Sequence, residues 1–207
     1  MATHKELFAL LALVAAITIW SWIDAANIGI WWAESIPVFI ALPILWYTYK
    51  RFPLTRLAYY LIVIHAIILL VGAHYTYAHV PLGFWMQDIF DFTRNNYDRI
   101  GHIAQGFVPA ILAREIFIRN NLIRVRGWRI FLVTCFCLAF SAFYELIEWW
   151  SAVFAGDGSV EFLGTQGDIW DAQWDMFLAL MGAIASQALL CKLHDKQIAR
   201  VEKVDLS

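Results

Sequence analysis

Six apolar stretches, each close to the ~20 residues that carry a helix across the hydrocarbon core of a bilayer, constrain this chain more than any other feature. They cover residues 6–23, 29–49, 57–78, 98–119, 129–149 and 169–192, with charged residues gathered in the intervals. A backbone in lipid must satisfy its own N–H and C=O groups, and a helix does so within one segment. The expected fold is all-α: a polytopic membrane helix bundle of six transmembrane helices, forming one domain over residues 1–207. A composition that is 61% hydrophobic, with a mean hydropathy of +0.62, fits lipid as the solvent. The 11 Trp and 8 Tyr suit interfacial aromatic belts.

Local signals refine this plan. Glu34, Pro37 and Pro43 interrupt the second stretch, where a kink is expected. The first stretch follows Lys5, as in a signal peptide. Its run from Leu7 to Ile23 exceeds a usual signal core, however, and no small-residue cleavage site follows, so it is read as a retained helix. Between the third and fourth stretches, the apolar residues of Pro81–Asp91 at positions 82, 85, 86, 89 and 90 share one helical face, the pattern of a short helix lying in the interface. The segment Ala155–Gly156–Asp157–Gly158–Ser159 reads as an exposed turn. Cys135, Cys137 and Cys191 all sit in or at the ends of apolar segments and imply no disulfide framework. No basic tract with interleaved aromatics points to nucleic acid.

Basic residues near span ends resist translocation, which sets the orientation. Six spans put all of the 15 Lys and Arg except Arg94 and Arg99 on one side, and all of the 17 Asp and Glu except Glu6, Glu115, Asp195, Glu202 and Asp205 on the other. Both termini are expected in the cytoplasm, facing away from a strongly acidic outer end.

That acidic end carries the candidate chemistry. Asp98, His102 and Gln105 stand at i, i+4 and i+7, and so do Ser141, Glu145 and Glu148, so each set shares a helix face. Asp168, Asp171 and Asp175 form an arc on the last helix, and His74 ends the third, with His79 just beyond it. An aspartate at the centre of a membrane helix costs roughly 2.5–3.5 kcal/mol on insertion scales, so several of them require compensation by a cation, by arginine, by protonation or by water. Asp168 has a structural reading as the cap of the last helix, in a Thr165–Gln166–Gly167–Asp168 capping box. Asp175 lies about 10 Å deeper, where capping cannot reach. His65 reads as an interhelical hydrogen-bond donor and Ser141 as bonded to its own backbone.

Four stretches carry a resemblance: His74–Tyr75–Thr76–Tyr77, residues 94–102 (Arg94-Asn-Asn-Tyr-Asp-Arg-Ile-Gly-His102), Tyr144–Glu145–Leu146–Ile147–Glu148–Trp149, and Gly164–Thr165–Gln166–Gly167–Asp168–Ile169–Trp170–Asp171 running on to Asp175–Met176. In these the chain resembles the YjdF-like family of uncharacterised bacterial inner-membrane proteins. The resemblance implies a multi-pass inner-membrane protein and brings no catalytic assignment.

Two histidines with several carboxylates make an N/O donor set suited to zinc, manganese or iron. The expected ligands are His74, His102, Glu145, Asp171 and Asp175, with Glu148 or Asp98 as general base and Arg99 contacting an anionic headgroup. This describes a metal-binding protein, read as a hydrolase acting on a lipid or envelope substrate. An ion-coupled carrier would need polar residues continuing to the inner face, where the helices read as apolar apart from Ser186 and Gln187. An accessory protein would hold its acids with Arg94 and Arg99.

Overall fold

A computed structural model describes residues 2–155 and 165–205, so the expected turn at 155–159 lies, beyond Ala155, outside the described residues. Every regular element among them is helical: α1 (His4–Trp22), α2 (Ile28–Thr48), α3 (Arg56–Tyr75), α4 (Pro81–Phe90), α5 (Tyr97–Arg119), α6 (Arg126–Ala155) and α7 (Asp171–Asp205). The starts follow local chemistry. Thr3 and Glu6 form a capping box, Asn27 and Thr55 cap α2 and α3 with their side chains, and Pro81 opens α4, where a missing N–H is harmless. The helix α2 runs through both Pro37 and Pro43.

Helices α1, α2, α3, α6 and α7 are long and apolar enough to cross a membrane. At 23 residues α5 spans about 35 Å, the same reach. It falls short in hydropathy because it carries Asp98, Arg99, Arg114, Glu115 and Arg119. It can do so because α3, α6 and α7 surround it, and intramembrane charge is tolerated when it faces protein rather than lipid. Around it the bundle has two halves. Helices α1 and α2 pack on α3, α6 and α7 pack on α5, and α3 meets α5 between them. Ser21 ties the first half together: its hydroxyl donates to Leu70 O at 2.6 Å and accepts from Trp31 Nε1 at 2.8 Å. The most extensive helix contact joins α5 to α7.

The short helix α4 matches the interfacial expectation. Leu82, Trp85, Ile89 and Phe90 are exposed while Gly83 is buried against Asn95. Two outer segments are sewn together beside it. Asn95 N–H donates to Gln166 Oε1 (3.1 Å), Gln166 Nε2 donates to Asn95 O (2.8 Å), and Arg94 donates to Thr165 O (2.8 Å) and to the Asp171 carboxylate.

The expectation of apolar inner halves is corrected. The C-terminal end of α5 and the second half of α7 are buried around a polar network, because α7 continues as one helix well past residue 192. Glu115, with no exposed surface, accepts from Thr55 N–H (2.8 Å), Thr55 Oγ1 (2.7 Å), Arg119 (3.1 Å) and His194 Nε2 (3.0 Å). Arg114 lies 3.0 Å from His194 Nδ1 and 2.5 Å from Asp195. Since arginine only donates, Nδ1 is the acceptor and Nε2–H points to Glu115. Ala110, Ala113, Val133, Cys137 and Ala183 pack as an apolar cluster between α5, α6 and α7.

Candidate functional site

Three helices deliver a second set of polar groups, at the N-terminal end of α5. One turn of α5 brings Asp98 and His102 together, with His102 Nε2 3.5 Å from Asp98 Oδ1. Asp175 on α7 lies 3.8 Å from the same nitrogen. On the other side of the ring, Nδ1 is 3.0 Å from Gln105 Oε1 and 3.9 Å from Glu145 Oε1 on α6. One ligand atom from each of Asp98, His102 and Asp175 lies within 4.8 Å of the others.

Burial makes this arrangement demanding. His102 is 5% exposed and Asp175 2%. Asp175 Oδ1 and Glu145 Oε1 are buried and make no hydrogen bond among the described residues. A carboxylate oxygen left without water or donor costs more than a neutral group in the same place. The inner network is the useful contrast, because Glu115 is as deeply enclosed and has four donors around it.

The residues expected at the site divide accordingly. His102, Asp98, Asp175 and Glu145 converge. His74 does not: its Nδ1 is 3.0 Å from Ser21 O and its ring lies 4.6 Å from that of Trp20, so it joins α3 to α1. Helical spacing does not give the side of α3 that it occupies. Asp171 is 5% exposed and bound to Arg94, outside the three-residue set. Arg99 reaches Asp168 Oδ2 at 3.2 Å and sits 5.4 Å over the Trp174 ring, so its charge is shared with protein. Asp168 does not cap α7, which starts at Asp171. Its Oδ1 accepts from Trp170 N–H at 2.9 Å in the turn before the helix. Among the described residues Ser141 Oγ is buried without a hydrogen bond, contrary to the backbone bond expected of it, and His65 Nε2 likewise lacks the interhelical partner expected there.

Two contributors had not been assigned to the site. Glu34 of α2 is 7% exposed and accepts from Tyr144 Oη at 3.4 Å. Both side chains, with Asp98, His102 and Glu148, line one end of a cavity of about 520 Å³ between the two halves of the bundle. The signal for Glu34 was available, since an acid within an apolar helix is a functional candidate by default.

The geometry can be set beside known proteins. Residues 6–196 match the family model described as "Predicted membrane protein (DUF2238)". The chain is 50% identical over 184 residues to the inner membrane protein YjdF of Escherichia coli (strain K12), covering 89% of this chain and 88% of that protein. No solved structure matches. A match over nearly the whole length, with half of the residues identical to an inner-membrane relative, means that this polytopic helical chain belongs to the DUF2238 family of membrane proteins.

Proposed function

We propose that this protein is a divalent-cation-dependent hydrolase that works near the outer face of the inner membrane on a lipid or lipid-linked envelope substrate. One observation carries the reading: Asp175 is 2% exposed, has a carboxylate oxygen without a hydrogen-bond donor, and stands within 4.8 Å of ligand atoms from Asp98 and His102. Two carboxylates and one imidazole suit zinc, manganese or iron, and three protein donors are the number that catalytic sites use when one position is kept open. Gln105, at 3.0 Å from Nδ1, is the partner that would orient the imidazole so that Nε2 faces the aspartates. A bound cation would supply Lewis acidity and lower the pKa of water.

The alternatives account for less. An arginine-held accessory role explains Asp168 and Asp171, which pair with Arg99 and Arg94, but it offers nothing for Asp175 Oδ1. A carrier would need polar continuity, and between α5, α6 and α7 the packed residues Ala110, Ala113, Val133, Cys137 and Ala183 are apolar.

Metal content is the direct test. Purified full-length protein should contain about one zinc, manganese or iron per chain by elemental mass spectrometry, and both Asp175→Asn and His102→Ala should lose most of it. Metal-free protein that stays metal-free after incubation with each ion would end this reading. Orientation is a separate expectation of the same proposal. With both termini in the cytoplasm, a C-terminal green fluorescent protein fusion should fluoresce and a C-terminal alkaline phosphatase fusion should be inactive. The reverse pattern would move the site to the inner leaflet.

A further inference from the structure

The cavity that ends at Glu34 and Asp98 has a shape and a charge that specify an occupant. Along α2 its lining runs from Glu34 to Tyr49, and along α3 from Tyr59 to Thr76. At 1.5 Å per residue it is therefore about 22–25 Å long, most of the ~30 Å hydrocarbon thickness of a bilayer. Through its middle the walls are mainly aliphatic, with Val38, Leu42, Val63 and Leu69 among them. A volume of about 520 Å³ with such walls is a ligand site in size, and too apolar to be held open by ordered water.

The outer end is of opposite character. Glu34, Asp98 and Glu148 line it together with His102 and Tyr144, and among the described residues the lining contains no lysine or arginine. A cation held between Asp98 and Asp175 would leave Glu34 and Glu148 to be matched by a second positive charge. An anionic head would add repulsion in a low-dielectric setting, an uncharged one would leave the carboxylates to be neutralised by protonation, and an ammonium group can pair with them in their ionised form.

We propose that this cleft holds one hydrocarbon chain of an amine-headed membrane lipid, with the ammonium group against Glu34 and Glu148. The inference names the substrate class for the site proposed above and shares Asp98 and His102 with it, but it is carried by the cleft.

The test uses full-length protein in detergent and native mass spectrometry, with equal amounts of phosphatidylethanolamine and phosphatidylglycerol bearing identical chains. The ethanolamine lipid should be retained by at least about tenfold over the glycerol lipid, a ratio that one charge-assisted hydrogen bond supports. Glu34→Gln combined with Glu148→Gln should bring that ratio near one while some lipid is still held. Ala41→Trp, which puts an indole into the cleft, should lower retention of both lipids. Free ethanolamine at the same concentration should not displace the lipid. Equal retention of the two lipids by the unsubstituted protein, a preference unchanged in the double variant, or displacement by free ethanolamine would overturn the proposal. Each arm is run with and without a chelator, so that the two readings fail separately. A preference in protein that binds no metal removes only the cation reading, and metal-loaded protein without a preference removes only this one.

Discussion

Replacing Glu115 with alanine is expected to destabilise the protein by about 3–5 kcal/mol, the usual effect of removing one partner from a buried charge network. Its carboxylate serves four donors and has no exposed surface. The alanine variant would leave the Thr55 N–H, the Thr55 hydroxyl and His194 Nε2–H without their acceptor in a place water does not reach. The loss should be structural as well as energetic. Thr55 caps α3, Arg119 also donates to Pro53 O at 2.6 Å, and His194 belongs to α7, so one side chain connects the α2–α3 turn to two other helices. At roughly 2–4 °C per kcal/mol for a chain of this size, the melting temperature in detergent should fall by about 6–20 °C. His194→Ala should cost less alone, and the double variant should cost clearly less than the sum, because the two residues share one network. Additive losses would mean that the pair is not coupled. A Glu115→Ala protein melting with the parent would show that this network does not hold the inner end together.

The network also shows where reading the sequence stopped short. The spans were legible because lipid leaves the backbone few options, and even the interfacial character of α4 followed from the spacing of Leu82, Trp85 and Ile89. Helix ends were less legible. With the last span ending near residue 192, His194 and Asp195 counted as cytoplasmic loop, whereas α7 continues to Asp205 and buries His194 completely. Arg114 and Glu115 were likewise counted by charge for orientation, although at i and i+1 on a surrounded helix both are buried.

At the outer site the sequence placed residues in depth and along one helix face, which sufficed to join Asp98 to His102 and to separate Asp175 from Asp168. It could not assign azimuth between helices. His74 near the end of α3 turns toward Ser21, while His102 near the start of α5 turns toward Asp175. Glu34 carried a signal as an acid within an apolar helix, but nothing in the sequence names its partner. Beside Pro37 it reads as a flaw in an apolar stretch, and only the packing of α2 on α3, leaving the cleft next to α5 and α6, reveals that it meets Tyr144.

The relative position of α5 and α7 thus decides whether a site exists at all, and two glycines set it. A Cβ on Gly106 would stand 1.8 Å from Ala179 O, and one on Gly182 would stand 2.2 Å from Ile103 O. Both obstacles are backbone atoms, which no rotamer change can remove, so even alanine must push the helices apart. Gly106→Ala and Gly182→Ala are each expected to cost about 3 kcal/mol or more, the upper part of the range for overpacking. Gly127→Ala is the internal control. Nothing lies within 4 Å of a Cβ there, so its stability should stay within about 0.5 kcal/mol of the parent. The decisive readout is metal content beside melting temperature. Asp98 and His102 ride on α5 and Asp175 on α7, with their ligand atoms within 4.8 Å. A separation that relieves a clash at 1.8 Å moves α5 from α7 by a comparable distance. Gly106→Ala should therefore lose bound cation under conditions where the protein is still folded, while Gly127→Ala retains it. If Gly106→Ala bound metal as the parent does while melting lower, the ligands would have to come from one helix alone. The Asp98, His102 and Asp175 set would then be wrong.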